Sequence, residues 1–200
     1  MKKTILFISI LFVTALSYGQ VNFAIKTGIN IATTKNLITF PINRIGWYAG
    51  GKAEIAIYKK YFFQPELLLS SKGYRYKDLS DGKTVSMRLN YINAPILFGY
   101  EIDSKTNVVV GTELGYLAKA ISHSNIISDR NSDAINSFPH RFDIGLAIGI
   151  AYNITKDIGA EVRYNYGLNG FYQTDVLGTR RSKYTAANRV FQLGIYYNIF

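Results

Sequence analysis

The stretch FDIGLAIGIAY, Phe142 to Tyr152, alternates without a break. Phe142, Ile144, Leu146, Ile148, Ile150 and Tyr152 share one parity, while Asp143, Gly145, Ala147, Gly149 and Ala151 share the other. Successive side chains of a β-strand point to opposite faces, so the segment has one large apolar face and one that is small or charged. The same period of two recurs along the chain, and beyond the first twenty residues no segment sustains the spacing of an amphipathic helix. The chain reads as all-β, with strands over about 21–32, 44–58, 61–76, 84–100, 107–121, 138–153, 158–169 and 189–200.

Each of the eight is long enough to cross a bilayer as a tilted strand, which takes about 9–11 residues. The connections alternate in length: those near Lys59 and Lys60, at 101–106 and at 154–157 are tight, and those at 33–43, 77–83, 122–137 and 170–188 are longer. An even number of strands with short turns at one end and long loops at the other predicts an eight-stranded antiparallel transmembrane β-barrel, its turns periplasmic and its loops extracellular.

A soluble barrel would show the same period, so the polarity of the two faces has to decide. Charges within a strand share parity: Lys52 with Glu54, Glu66 with Lys72, Glu113 with Lys119, Glu161 with Arg163. The rest of that face is small, as at Gly111, Gly115, Gly145, Ala147 and Gly149, which suits a crowded lumen better than a solvated exterior. The opposite face carries Ile, Leu and Val with aromatics such as Trp47, Phe63, Tyr116, Tyr152, Tyr164 and Tyr197, as expected of aromatic girdles at two membrane interfaces. The apolar face is therefore assigned to lipid. In FFQPELLLS, 62–70, this puts Phe63, Pro65, Leu67 and Leu69 outside and Gln64, Glu66 and Ser70 inside.

Parity then assigns to the lumen the acids Glu54, Glu66, Glu113, Asp143 and Glu161 and the bases Lys26, Lys52, Lys72, Arg88, Lys119 and Arg163. Buried charge is tolerated when it is paired and hydrogen-bonded, and the interior of an eight-stranded barrel is about wide enough for side chains to fill. The expectation is a salt-bridged plug. Pro95 cannot donate to the ladder, and a bulge is expected there, with the register around Pro65 and Pro95 left open.

The N-terminus MKKTILFISILFVTALSYGQ combines Lys2 and Lys3, an apolar run from Ile5 to Leu16 and small residues at Ser17 and Gly19. It reads as a secretory signal over 1–19, too short for a spanning helix, followed by a single barrel domain over 20–200 in the outer membrane. Loss of Lys2 and Lys3 lowers the formal charge from +10 to +8. Export argues against a nucleic-acid partner for that excess, most of which lies outside the inner faces. The last loop concentrates Arg180, Arg181 and Lys183, joined by Arg189, a basic rim suited to lipopolysaccharide phosphates.

Catalytic residues are not evident. The histidines are His123 and His140, and neighbouring Ser122 and Ser124 would point away from His123 on a strand. SDRNSD at 128–133 lacks the glycine and closing glutamate of a calcium loop. The absence of cysteine removes disulfides and thiolate chemistry, and no cofactor is expected.

FFQPELLLSSKG at 62–73, LNYINAPILFGY at 89–100, GTELGYL at 111–117, FDIGLAIGIAY and EVRYNYGL at 161–168 together resemble, in order, the PorT-like outer-membrane β-barrel family typical of Bacteroidetes. Asn93 and Ala94 depart from it where an acid often precedes the proline, and Asn198 departs from the usual C-terminal strand ending on Phe200. The resemblance implies a porin-like barrel or a part in protein secretion, and it supplies no catalytic residues. The function expected is that of a non-enzymatic structural or interaction protein with an unknown protein partner, working through its loops. A narrow channel is the alternative, and a lipid-modifying enzyme the less favoured one.

Overall fold

The computed structural model describes residues 21–35, 41–77, 84–124, 130–135, 141–169, 172–175 and 183–199, and of 124, 130–133, 172–175 and 183–186 it describes the backbone only. The expected signal segment, Arg180, Arg181 and His140 lie outside the described residues. The strands are β1 (Val21–Lys35), β2 (Ile42–Tyr58), β3 (Tyr61–Lys77), β4 (Thr84–Glu101), β5 (Thr106–Ser124), β6 (Arg130–Asp133), β7 (Phe142–Asn153), β8 (Ile158–Gly167), β9 (Tyr172–Asp175) and β10 (Lys183–Asn198).

Eight of these form a ring of antiparallel neighbours, β1-β2-β3-β4-β5-β7-β8-β10, closed by β10 on β1 from Ala24↔Asn198 to Lys35↔Ala187. Closure matters because hydrocarbon offers no partner to a free sheet edge. The short β6 and β9 pair only with the outer ends of β5 and β10, extending the wall within segments expected to be loops. β1 and β10 also run further toward the loop end than their apolar patterns, which fade there.

Short turns gather at one end. Lys59, with φ of 50°, turns β2 into β3, and the Asp103 carboxylate accepts the N–H groups of Lys105 and Thr106 between β4 and β5. The Lys105 and Thr106 N–H groups hold that carboxyl below the usual range for an aspartate. Asn198 is placed here too. Its side-chain amide donates to Lys156 O at 3.0 Å and its N–H to Asp157 O at 2.7 Å, which ties the last strand to the β7–β8 turn.

The outer wall is apolar around the ring, with Leu67 63%, Val110 58% and Ile148 61% exposed. Ring pairs stand at both ends of it: Tyr61 with Tyr100 (5.1 Å) and Phe63 with Phe98 (5.4 Å) near the short turns, Tyr116 with Phe142 (5.3 Å) near the loops. The small residues of the inner face make room for large ones. Tyr48 lies over Gly28 and Gly194, Tyr196 over Gly159 and Phe62 over Gly99, where any β-carbon would collide with the ring.

Two inward assignments are overturned. β5 inserts Ala118 opposite the step from Asn90 to Tyr91, a bulge that moves the inward parity from Glu113 and Leu117 to Ala120. Lys119 is thereby turned out and exposed. Arg88 also faces outward, because β4 points Leu89 and Tyr91 inward, where they join Tyr74, Leu117 and Ala120 in an apolar cluster under the loops. The polarity rule inverts locally, since at this height the lumen is filled by greasy side chains. The bulge expected at Pro95 is not there: the β4–β5 register runs unshifted from Tyr91↔Leu117 to Glu101↔Asn107, with Pro95 inward opposite Glu113.

Candidate functional site

The lumen is layered. Nearest the short turns, Lys52 pairs with Glu54 at 2.6 Å and lies 3.6 Å from the ring centre of Tyr196, whose hydroxyl donates to Asn153 Oδ1. Phe62, Leu97, Val109 and Ala147 pack together as an apolar floor.

Across mid-height runs the main network. The Arg163 guanidinium donates Nη1 to Glu66 Oε2 at 2.8 Å and Nη2 to Glu66 Oε1 at 2.6 Å, and stands 3.5 Å from Glu161. Lys26 bridges the same two carboxylates, 3.2 Å from Glu66 and in contact with Glu161. Gln64 donates to Glu66, and the Tyr48 hydroxyl donates to Glu161 at 3.1 Å. Two cations thus face two anions, with neutral donors on the remaining carboxylate lone pairs. Such satisfaction lets ions stay in an interior of low dielectric.

Above it lies an amide belt. Gln192 donates to Asn30 Oδ1, Asn165 donates to Gln192 Oε1, and Asn30 donates to Ser70 Oγ and Ser71 O. Nearer the loops, Lys72 pairs with Glu113 at 2.5 Å, and Asn93 donates to the same carboxylate. Asn93 thus places an amide donor on a carboxylate lone pair where a second acid would add repulsion. Asp143 accepts from Asn188 at 2.6 Å, and among the described residues no cation is paired with it.

Of the eleven residues assigned to the lumen, the structure therefore brings Lys26, Glu66, Glu161 and Arg163 into one network, Lys72 and Glu113 into another, and Lys52 and Glu54 into a third. Asp143 stands apart, and Arg88 and Lys119 are outside. Parity reasoning missed Arg44, whose buried guanidinium fills an interruption of the β2–β3 ladder between Asn43 and Tyr48, donating to Ser71 Oγ and Lys72 O. The missed signal was the inward parity that it shares with Tyr48 and Lys52.

The barrel geometry has a counterpart in sequence families. A model of the outer membrane protein beta-barrel domain matches residues 15–173. The chain belongs to that family. Membership agrees with the continuous apolar wall and puts the protein in the outer membrane. Among solved structures, the family fold of this chain is similar to Neisserial surface protein A (13% identity, TM-score 0.54, 88% of this chain and 96% of that one). It is also similar to Ail, the attachment invasion locus protein of Yersinia pestis, solved with the heparin analogue sucrose octasulfate (11% identity, TM-score 0.50, 90% of this chain and 99% of that one). At such identities the likeness is one of fold. No curated protein sequence matches the chain.

The other sequence candidates are dispersed. His123 and Ser122 sit near the outer end of β5, and the Arg189 guanidinium carbon stands over the ring of Tyr166, 3.5 Å from its centre, while the side chain donates to Gly167 O. Lys183 opens β10. Among the described residues no three His, Asp or Glu side chains gather as a metal site.

Proposed function

We propose that the protein is a non-enzymatic outer-membrane barrel whose lumen is closed, serving as a structural or interaction protein through its extracellular loops. The observation that carries this reading is the inaccessibility of the large lumen side chains: Arg163, Tyr48, Tyr91, Lys72, Leu89, Leu117 and Gln192 are each less than 2% exposed. A water-filled pore leaves its lining open to water, and these residues come from opposite sides of the ring. Lipopolysaccharide at the basic segment Arg180, Arg181, Lys183 and Arg189, a protein partner at the loops, and a PorT-like role in secretion or envelope integrity belong to the same reading.

Reconstitution in planar bilayers tests it. The closed lumen gives no stepwise ion conductance above the bare membrane; stable single-channel steps would establish the porin-like alternative instead.

A further inference from the structure

The two bases that leave the lumen, Arg88 and Lys119, land on the outer wall of β4 and β5, and they are not alone there. Arg88 and Arg75 line one cleft of about 420 Å3 together with Ser86, Ile45 and His123, and the buried Arg44, at the interruption of the β2–β3 ladder, borders the same cleft from within the wall. Arg88 and Arg75 both stand close enough to Arg44 to repel its guanidinium. Arg44 is held by Ser71 Oγ and Lys72 O, and Arg75 donates Nε and Nη2 to Asn43 O at 3.0 and 2.8 Å. All of these acceptors are neutral. Among the described residues no carboxylate pairs with any of the three, whereas the lumen cations Lys26, Lys52, Lys72 and Arg163 each have one. Concentrated positive charge, with Arg44 and Arg75 held by backbone carbonyls and no counter-ion among the described residues, is arranged for an external anion.

Height identifies the anion. On β3 the outward positions Tyr61, Phe63, Pro65, Leu67 and Leu69 form an unbroken apolar column, and on β4 Tyr100, Phe98, Ile96 and Ile92 match it. Arg88 stands twelve residues beyond Tyr100 along β4. At about 3.3 Å per residue and a tilt of about 40° that is about 30 Å, just past an apolar band of about 25 Å. This is the level of the outer-leaflet headgroups, on the wall that lipid touches. Guanidinium groups match phosphate oxygens by paired N–H donors.

We propose that Arg44, Arg75 and Arg88 form a binding site for the phosphate of an outer-leaflet glycolipid, whose acyl chains run down the apolar wall beneath it. The site is separate from the basic last loop. It fixes a lipid against β2–β5, the tall side of the barrel, and leaves the loops free for other contacts.

Trp47, the single tryptophan, lies on the same face of β2 two residues from Ile45 and is 54% exposed, so it reports on the cleft. The mature chain, folded in maltoside micelles that carry no phosphate, is titrated with bisphosphorylated lipid A while Trp47 fluorescence is followed. The expected result is saturable binding that Arg75→Gln/Arg88→Gln weakens at least fivefold and Arg180→Gln/Arg181→Gln does not. Arg88→Gln alone, at a side chain without hydrogen bonds among the described residues, weakens it at least twofold in a barrel that still migrates as folded on unheated gels. Losses below these limits overturn the proposal. So does an equal response to dephosphorylated lipid A, or a full response to inorganic phosphate at the same concentration, which would mark a free-anion site.

Discussion

Arg163 reaches from β8 to Glu66 on β3, two strands that share no ladder, and closes two parallel hydrogen bonds at 2.6 and 2.8 Å. This clamp ties opposite walls of the barrel together through its middle. Lys26 on β1 and Glu161, two residues before Arg163 on β8, complete it.

Glu66→Gln leaves Arg163 and Lys26 facing a single carboxylate in a site without water access. Breaking a buried ion pair on one side costs about 3–5 kcal/mol, whereas replacing both partners by apolar residues of similar volume is often close to neutral. In urea titrations of the refolded barrel, Glu66→Gln lowers the unfolding free energy by that amount, and Glu66→Met/Arg163→Met lowers it by less. A double-variant loss equal to the sum of the separate Glu66→Met and Arg163→Met losses would mean that the pair carries no coupling.

Residues 88 and 119 test the outward assignment. The chain has no cysteine, so single substitutions give a clean background. In lipid vesicles Arg88→Cys and Lys119→Cys react with a membrane-impermeant maleimide, while Lys72→Cys and Glu161→Cys do not until the barrel is unfolded. Protection at 119 would remove the bulge at Ala118.

The lipid wall makes a depth-dependent prediction. Ile148 lies mid-strand on β7 and Phe142 at its loop end, and both are exposed. An arginine at the bilayer midplane of a barrel costs about 2–4 kcal/mol, falling to about 0–1 near the interface. Ile148→Arg therefore lowers stability in phosphatidylcholine vesicles by about 2–4 kcal/mol and Phe142→Arg by about 1 at most. A soluble barrel would show no such difference between two solvated positions.

Period-two alternation, turn lengths and charge parity sufficed to derive eight strands, their order and the outward apolar face from sequence alone. Each is a local property, written in spacings of two residues and in the polarity of a whole face. Glu66 is legible this way because FFQPELLLS alternates cleanly on both sides of it. Lys119 and Arg88 are not. One inserted residue, Ala118, reverses every side chain beyond it, and no composition rule marks a single insertion. Near the loops Leu89 and Tyr91 fill the lumen, so the apolar parity that signals lipid lower down signals interior there. Which base meets which acid was likewise beyond the sequence, since Arg163 and Glu66 are 97 positions apart and meet only because the ring closes. Strand identity is set by local pattern; partners and facing beyond a bulge are set by closure and register, which exist only in three dimensions.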